Sequence, residues 1–263
     1  MKAIINYPGS KWLMAHQICQ MIPPHRSYVE PYLGSGAVLF NKIPSHIETI
    51  NDIDGDIVNF FRVVRDCGDE LAKMIAMTPY ARDVYIDSFI NRGDTEIEKA
   101  YKFAIRSRMS HGYRTNRISG FKIDVYARER SYCVSCWNGM PDIVREAALR
   151  LKTVQIENRN AIELIQKFNH DNVLIYADPP YLMSTRGGEQ YRFEMDEKDH
   201  IELLETIVGS KAKVIISGYD SELYNYYLNG WNKSTVKSHN QHAEERIEVL
   251  WSNCLDKQIR LQE

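Results

Sequence analysis

The sequence predicts an α/β protein whose parallel sheet is interrupted, between residues 57 and 152, by a mostly helical segment. Short apolar or β-rich runs alternate with helical stretches at both ends of the chain, a pattern typical of parallel sheets. The alternation stops in the middle of the chain, where helical stretches occur together with an interval over 110–135 that lacks periodicity and is predicted to be irregular. With 263 residues, 44% of them hydrophobic, the chain is long enough to bury a substantial core.

The first predicted unit is a strand, a glycine turn and a helix. The strand covers 27–30, Gly34 and Gly36 lie in the turn, and Ala37 begins the helix. A Rossmann-like unit opens in this order, but the turn lacks G-x-G-x-x-G, so a dinucleotide pyrophosphate is not the expected ligand. The glycines permit close approach of the backbone to a ligand, and Glu30 at the strand end can accept from a ligand ammonium group.

Residues after the second predicted strand, 47–51, indicate an adenosine-like ligand. Asp52 lies 18 residues after Gly34, close to the spacing at which an acidic residue commonly takes ribose hydroxyls. Ile53 can pack on an adenine face. Together with Glu30, these residues predict an adenosine that carries an amino-acid tail.

The middle segment combines helical stretches with a concentration of positive charge. Helices are predicted over 56–65, 70–77, 80–91, 96–109 and 139–152, with Thr78-Pro79 as a start signal for the third. Eight Lys and Arg against two acidic residues give 102–130 a net charge of +6, although the whole chain carries −2. Such a segment is typical of polyanion binding, and a solvated charged face is the ordinary alternative. The candidate DNA contacts are Arg114, Asn116, Arg117 and Lys122, since Arg and Asn read base edges.

The alternation of strands and helices resumes at residue 153 and leads to the sequence D-P-P-Y. Strand 153–157 and a helix capped by Asn160 precede the apolar run 173–177, which suits a buried parallel strand. Asp178, Pro179, Pro180 and Tyr181 follow that strand, and the prolines fix the backbone at the edge where α/β proteins bind ligands. We therefore expect a carboxylate, a rigid turn and an exposed aromatic ring there, against the alternative of an ordinary turn. A helix over 196–208, a strand over 213–217, a helix over 222–228 and strands near 232–237 and 246–252 complete the prediction.

Taken together, these motifs resemble the DNA adenine methyltransferase (Dam) family, whose members methylate the N6 amino group of adenine. The resemblance rests on Y-P-G-S-K, V-E-P-Y-L-G-S-G, N-D-I-D, D-P-P-Y, I-I-S-G-Y and E-V-L-W-S-N, and covers nearly the whole chain outside 57–152. It implies a Rossmann-like S-adenosylmethionine-dependent methyltransferase fold, with a catalytic domain of 1–56 and 153–263 and an inserted target-recognition domain of 57–152. The implied cofactor contacts are Tyr7, Lys11, Asp52 and Asp178, with Glu30, Gly34, Gly36 and Ile53 shaping the pocket, and the implied catalytic set is Asp178, Pro179, Pro180 and Tyr181. Asn6 departs from the family pattern, because members that methylate G-A-T-C tend to carry a base-contacting lysine there.

The expected partner is double-stranded DNA, and other features of the sequence limit further roles. Cys133 and Cys136 form one C-x-x-C without a second pair, so packing is expected rather than a metal site. No run of 18 apolar residues or signal-peptide core occurs, so a cytoplasmic chain without a membrane span is expected. A monomer is expected in solution, and a restriction endonuclease is a candidate partner. The alternatives are an RNA adenine or protein-amide methyltransferase of the same fold and a DNA-binding regulator without catalysis.

Overall fold

A computed structural model describes residues 1–126, 131–186, 188–189, 191–239 and 245–254. Its described strands form one seven-stranded sheet: β1 (Ser27–Glu30), β2 (Ile47–Asn51), β3 (Val154–Glu157), β4 (Val173–Ala177), β5 (Lys213–Gly218), β6 (Asn232–His239) and β7 (Glu245–Ser252). The strand order is β3-β2-β1-β4-β5-β7-β6, with β7 antiparallel to both of its neighbours and the other pairs parallel. The predicted α/β class with a mostly parallel sheet is confirmed.

Helices cover both faces of the sheet. They are α1 (Ala15–Gln20), α2 (Ala37–Asn41), α3 (Gly55–Ala76), α4 (Arg82–Ile90), α5 (Glu96–Met109), α6 (Tyr132–Asn138), α7 (Met140–Leu151), α8 (Ala161–Lys167), α9 (Glu197–Val208) and α10 (Glu222–Tyr227). Among the described residues, 3₁₀ turns cover His111–Tyr113 and Met183–Thr185.

Alternate residues of each strand point to opposite faces of the sheet and so build two separate cores. Tyr28 and Leu174 belong to the larger core, which includes residues of α3, α5 and α7. Val29 and Ile175 belong to the second core, which includes residues of α8, α9 and α10. The central strands are buried on both sides, which explains their continuous apolar runs.

The helices predicted over 56–65 and 70–77 lie on either side of a kink at Cys67 within α3, where φ is −132° and ψ is 32°, so the predicted break between them is confirmed. Two other local predictions are wrong. Thr78-Pro79 does not start a helix: α4 begins at Arg82, and the Thr78 hydroxyl donates to the carbonyl of Met74 over 2.7 Å. The interval 110–135, predicted to be irregular, contains the start of α6, whose first turn is capped by Ser131 and is too short to show a helical period.

The segment 57–152 is built directly onto the sheet. Phe60 and Phe61 of α3 and Phe103 of α5 lie in the same buried cluster as Tyr28 and Ile50 of the sheet. This cluster, like helix α3, extends across the predicted domain boundary at residue 57. A target-recognition domain with the boundaries 57–152 stays a prediction.

Candidate active site

A cavity of about 280 Å³ lies at the carboxyl ends of β1, β2 and β4. The chain crosses to β2 on one side of β1 and later to β4 on the other, so the cavity lies where the strand order reverses, the usual ligand position in open α/β sheets. Its walls include Tyr7, Lys11, Glu30, Gly34, Asp52, Ile53, Asp178 and Pro180. The sequence motifs therefore converge on one site, although Gly36, Pro179 and Tyr181 are not among the residues that line the cavity.

Lys11 connects the N-terminal turn to the end of β4. Its side chain is 4% exposed, and Nζ lies 3.0 Å from Asp178 Oδ1 and 3.5 Å from Glu248 Oε2. The ammonium also donates to the carbonyl of Gly9 over 2.6 Å. Burial alone would lower the pKa of Lys11, but the carboxylates of Asp178 and Glu248 outweigh it and raise the pKa above its ordinary value. Lys11 is thus a buried cation held between two acidic side chains, not the surface lysine that is the commoner outcome at such a turn.

The glycine turn places backbone amides against Asp52. Gly34 and Gly36 have φ of +50° and +67°, in the left-handed region that favours glycine. A Cβ on Gly34 would lie 3.2 Å from the Tyr7 ring. The amide of Gly34 donates to Asp52 Oδ2 and that of Asp54 to Asp52 Oδ1, both over 2.9 Å. Burial raises the pKa of Asp52 to about 6 despite these hydrogen bonds, so the carboxylate is mostly ionised at neutral pH.

Glu30 and Ile53 form two different parts of the cavity wall. Glu30 is 2% exposed and accepts a hydrogen bond from the Tyr28 hydroxyl over 2.9 Å. Burial raises the pKa of Glu30 to about 8, and the Tyr28 hydrogen bond offsets only part of that effect. Ile53 is 48% exposed, which leaves an apolar face open toward the cavity.

The D-P-P-Y sequence supplies a carboxylate and a ring, but the ring is not exposed as predicted. Asp178 Oδ1 accepts from Ser217 Oγ over 2.6 Å in addition to its contact with Lys11. Burial raises the pKa of Asp178, although Lys11 and Ser217 act against it. Tyr181 is 8% exposed, because its hydroxyl donates to Glu248 Oε2 over 2.7 Å and its ring packs edge-on against Tyr219.

Several residues of the site are not among those predicted from the sequence. Tyr191, Phe193, Glu194 and Met195 line the cavity from an aperiodic polar stretch. Ser217 and Glu248 contact the catalytic motif from β5 and β7. Both occur in motifs quoted for the resemblance, I-I-S-G-Y and E-V-L-W-S-N, which could have identified them.

The four predicted DNA contacts lie away from this cavity. Asn116 and Arg117 are exposed, whereas Arg114 and Lys122 are half-buried. An antiparallel bridge between Ser110 and Phe121 closes the stretch that holds the first three, and Lys122 follows it directly. Lys122 lines a second cavity of about 80 Å³, together with Asn6, Arg108, Tyr113, Tyr132, Cys133, Cys136 and Trp137. Arg128 and Arg130, part of the basic segment, lie outside the described residues.

The described residues contain neither a cluster of metal ligands nor a membrane-spanning helix. Among the described residues, no group of three or more His, Cys, Asp or Glu side chains could hold a metal ion. Cys133 and Cys136 are free thiols. No described helix is both long enough and apolar enough to cross a membrane.

Comparisons with known proteins agree with this geometry. The family model of D12 class N6 adenine-specific DNA methyltransferases matches residues 7–245. A Type II methyltransferase of Methanocaldococcus jannaschii, M.MjaIII, is 23% identical over 89% of this chain and 90% of its own. The DNA adenine methylase of Escherichia coli (strain K12) is 22% identical over 84% of this chain and 82% of its own. Another Type II methyltransferase, M1.LlaDCHI of Lactococcus lactis subsp. cremoris, is 23% identical over 66% of this chain, which spans 63% of that relative.

The family match covers the N-terminal turn, the glycine turn, the central helices and the D-P-P-Y strand, so it includes the elements that form the larger cavity. The seven-stranded sheet is consistent with an S-adenosylmethionine-dependent methyltransferase fold. This chain belongs to the family of D12 class N6 adenine-specific DNA methyltransferases.

Proposed function

We propose that this enzyme transfers a methyl group from S-adenosylmethionine to N6 of adenine at a specific site in duplex DNA, with the target base turned out of the helix. The observation that carries the proposal is the position of Asp178, at the end of β4 and in the wall of a cavity whose other residues suit an adenosine with an amino-acid tail.

The residues of the larger cavity fit the parts of this cofactor. Asp52 supplies a carboxylate for the ribose hydroxyls, and each oxygen keeps acceptor capacity beyond the backbone amide that it already binds. The half-exposed Ile53 offers an apolar face to the adenine ring. Glu30 offers a buried carboxylate to the ammonium group, and pairing with that cation would favour its ionised form. When bound, S-adenosylmethionine supplies a methyl group on a sulfonium that is already activated for displacement.

Asp178 and Pro179 would prepare the adenine amino group for attack. The nitrogen lone pair is delocalised into the base, so two acceptors aimed at its hydrogens would localise that pair toward the methyl donor. Both side-chain contacts of Asp178 described above fall on Oδ1, which leaves Oδ2 to accept from the amino group. The carbonyl of Pro179 is the second acceptor, and the Pro179-Pro180 sequence restricts how far it can move. Acceptors held in place before the reaction are worth several kcal/mol in such sites.

The low exposure of the Asp178 side chain, 18%, supports base flipping as part of the proposal. An adenine N6 inside a duplex cannot reach Asp178, so the nucleotide has to leave the base stack. Tyr181 would stack on the extruded base, a contact worth about 1–3 kcal/mol. The base-reading and phosphate contacts are assigned to Arg114, Asn116, Arg117 and Lys122 in the basic segment.

The test is to incubate the purified chain with methyl-labelled S-adenosylmethionine and duplex DNA, RNA or a protein mixture in parallel. Label in duplex DNA, recovered as N6-methyladenine, is the expected result. Label in RNA or protein alone would favour the alternative methyltransferases, and DNA binding without label would favour a non-catalytic regulator. Methylation-sensitive sequencing of DNA from cells that express the chain then gives the target motif.

A restriction endonuclease partner and a monomeric state are further parts of the proposal. Two of the relatives are named Type II methyltransferases, and another is named a DNA adenine methylase. The first of these names supports a restriction endonuclease partner. Protection of DNA from an endonuclease that cuts the methylated motif, and the mass of the chain in solution, test the two points.

A further inference from the structure

Glu248 is a buried carboxylate on β7 that contacts two residues of the proposed active site. Its side chain is 11% exposed, and Oε2 accepts from the Tyr181 hydroxyl over 2.7 Å while lying 3.5 Å from Lys11 Nζ. A carboxylate is costly to bury unless its charge is paired and hydrogen-bonded, and these contacts provide both forms of compensation.

The sheet fixes the position of Glu248 firmly. In the pairing of β7 with β5, Val249 lies opposite Gly218 and Leu250 opposite Ser217. Because strand side chains alternate, Glu248 points to the same face as Leu250, which belongs to the larger core. Glu248 lies one residue beyond this pairing and opposite Val236 of β6, and its carboxylate reaches Tyr181 of the D-P-P-Y sequence.

Besides the hydrogen bond of its hydroxyl, Tyr181 makes two contacts through its ring. The ring packs edge-on against Tyr219 with centroids 4.7 Å apart, and Lys11 Nζ lies 4.7 Å from the Tyr181 centroid. The hydrogen bond to Glu248 fixes the position of the phenol oxygen, while the contacts with Tyr219 and Lys11 restrict rotation of the ring about its long axis. Of the two Glu248 contacts, the one to the phenol is the shorter.

We propose that Glu248 is a positioning residue for methyl transfer: through its hydrogen bond with the phenol it holds the Tyr181 ring in the orientation that receives the target adenine. This inference rests on the proposed function. Glu248 is not among the residues that line the larger cavity, and in this proposal its effect on the reaction passes through Tyr181, its shorter contact, rather than through Lys11.

The test compares Glu248→Ala, Glu248→Gln, Tyr181→Phe and the double variant Glu248→Ala/Tyr181→Phe, with Glu222→Gln on the exposed start of α10 as the matched control. We expect Glu248→Ala to slow single-turnover transfer about tenfold or more, since an unpaired buried hydroxyl reorients the ring. Glu248→Gln should stay within about threefold of wild type, because an amide oxygen still accepts from the phenol. In the Tyr181→Phe background, Glu248→Ala should change the rate by less than about threefold, as for residues that act through one contact.

A spectroscopic measurement separates positioning from general loss of stability. DNA with 2-aminopurine at the target adenine reports the environment of the extruded base, and Glu248→Ala and Tyr181→Phe should alter its fluorescence alike, while Glu248→Gln preserves the wild-type signal. Full additivity of the two substitutions, or equal losses for Glu248→Gln and Glu248→Ala, would overturn the inference. If the wild-type chain does not methylate adenine in DNA, the proposed function itself fails, and this outcome is seen before any variant is made.

Discussion

Replacing Asp178 with asparagine should nearly abolish methyl transfer and leave the fold intact. Asparagine keeps the shape of the side chain, and its carbonyl oxygen can keep the contacts that Ser217 and Lys11 make with Oδ1 at 2.6 and 3.0 Å. The amide nitrogen then occupies the position of Oδ2, where it presents hydrogens to the hydrogens of the adenine amino group. Losing one prepared acceptor of this type costs about 10²–10³ in rate, or about 2.7–4 kcal/mol of transition-state stabilisation.

The effect on stability should be small by comparison. Burial raises the pKa of Asp178 even beside Lys11, so its charged form is less favourable in the folded chain than in water. A neutral amide relieves that cost, while Lys11 keeps Glu248 at 3.5 Å as its second carboxylate. We expect the free energy of unfolding to change by about 1 kcal/mol or less, since neutralising a buried charge offsets the weakened ion pair.

The assay is single-turnover methylation of duplex DNA at saturating S-adenosylmethionine, with urea unfolding of the same preparations. Asp142→Asn on α7 is the matched control, because that side chain is 89% exposed. Retention of more than about a tenth of the wild-type rate by Asp178→Asn would refute the acceptor role, given the loss expected for one acceptor. Asp178→Ala should be at least as inactive.

Three further outcomes test other parts of the site. Asp52→Ala should weaken S-adenosylmethionine binding about tenfold or more in calorimetry and affect DNA affinity less, because it removes a hydrogen-bonded carboxylate from the cofactor cavity; equal cofactor affinity would contradict the ribose role. Burial raises the pKa of Glu30 to about 8. The contribution of its proton to the free energy of unfolding is therefore fully present below the ordinary pKa of a glutamate and is lost as the pH rises to about 8. Urea unfolding of Glu30→Gln should lack this decline, and an unchanged decline would assign it to other groups. Alanine at Arg114, Asn116 or Arg117 has one of two expected effects. If the residue reads a base, the substitution should cost about 1–3 kcal/mol of DNA-binding free energy and relax the base preference at one position of the target site. If it contacts a phosphate, the substitution should reduce the slope of log affinity against log salt concentration by about one. If the methylated motif and DNA affinity stay the same, recognition lies elsewhere, with 184–195 as the next segment to test.

The parts of the fold predicted from sequence are those whose cause is local. The β4 run followed by two prolines, and Gly34 and Gly36 with positive φ, identify a strand end and a turn whatever surrounds them. The burial of Tyr181 could not be predicted in this way, because its partner Glu248 lies 67 residues further along the chain. Tyr191 enters the cavity from a stretch without periodicity, so no pattern marked it as part of the wall.

The order of strands at one edge of the sheet has a consequence for how the chain is made. In the described sheet, β6 pairs with β7 alone, which follows it in the chain and lies between it and β5. Until residues 245–252 join this sheet, β6 lacks its partner strand and β5 exposes an unpaired edge. Glu248 enters with that last strand, so the contact with Tyr181 can form only when the sheet is complete. Products of early termination would therefore lack both a closed sheet edge and an assembled catalytic centre.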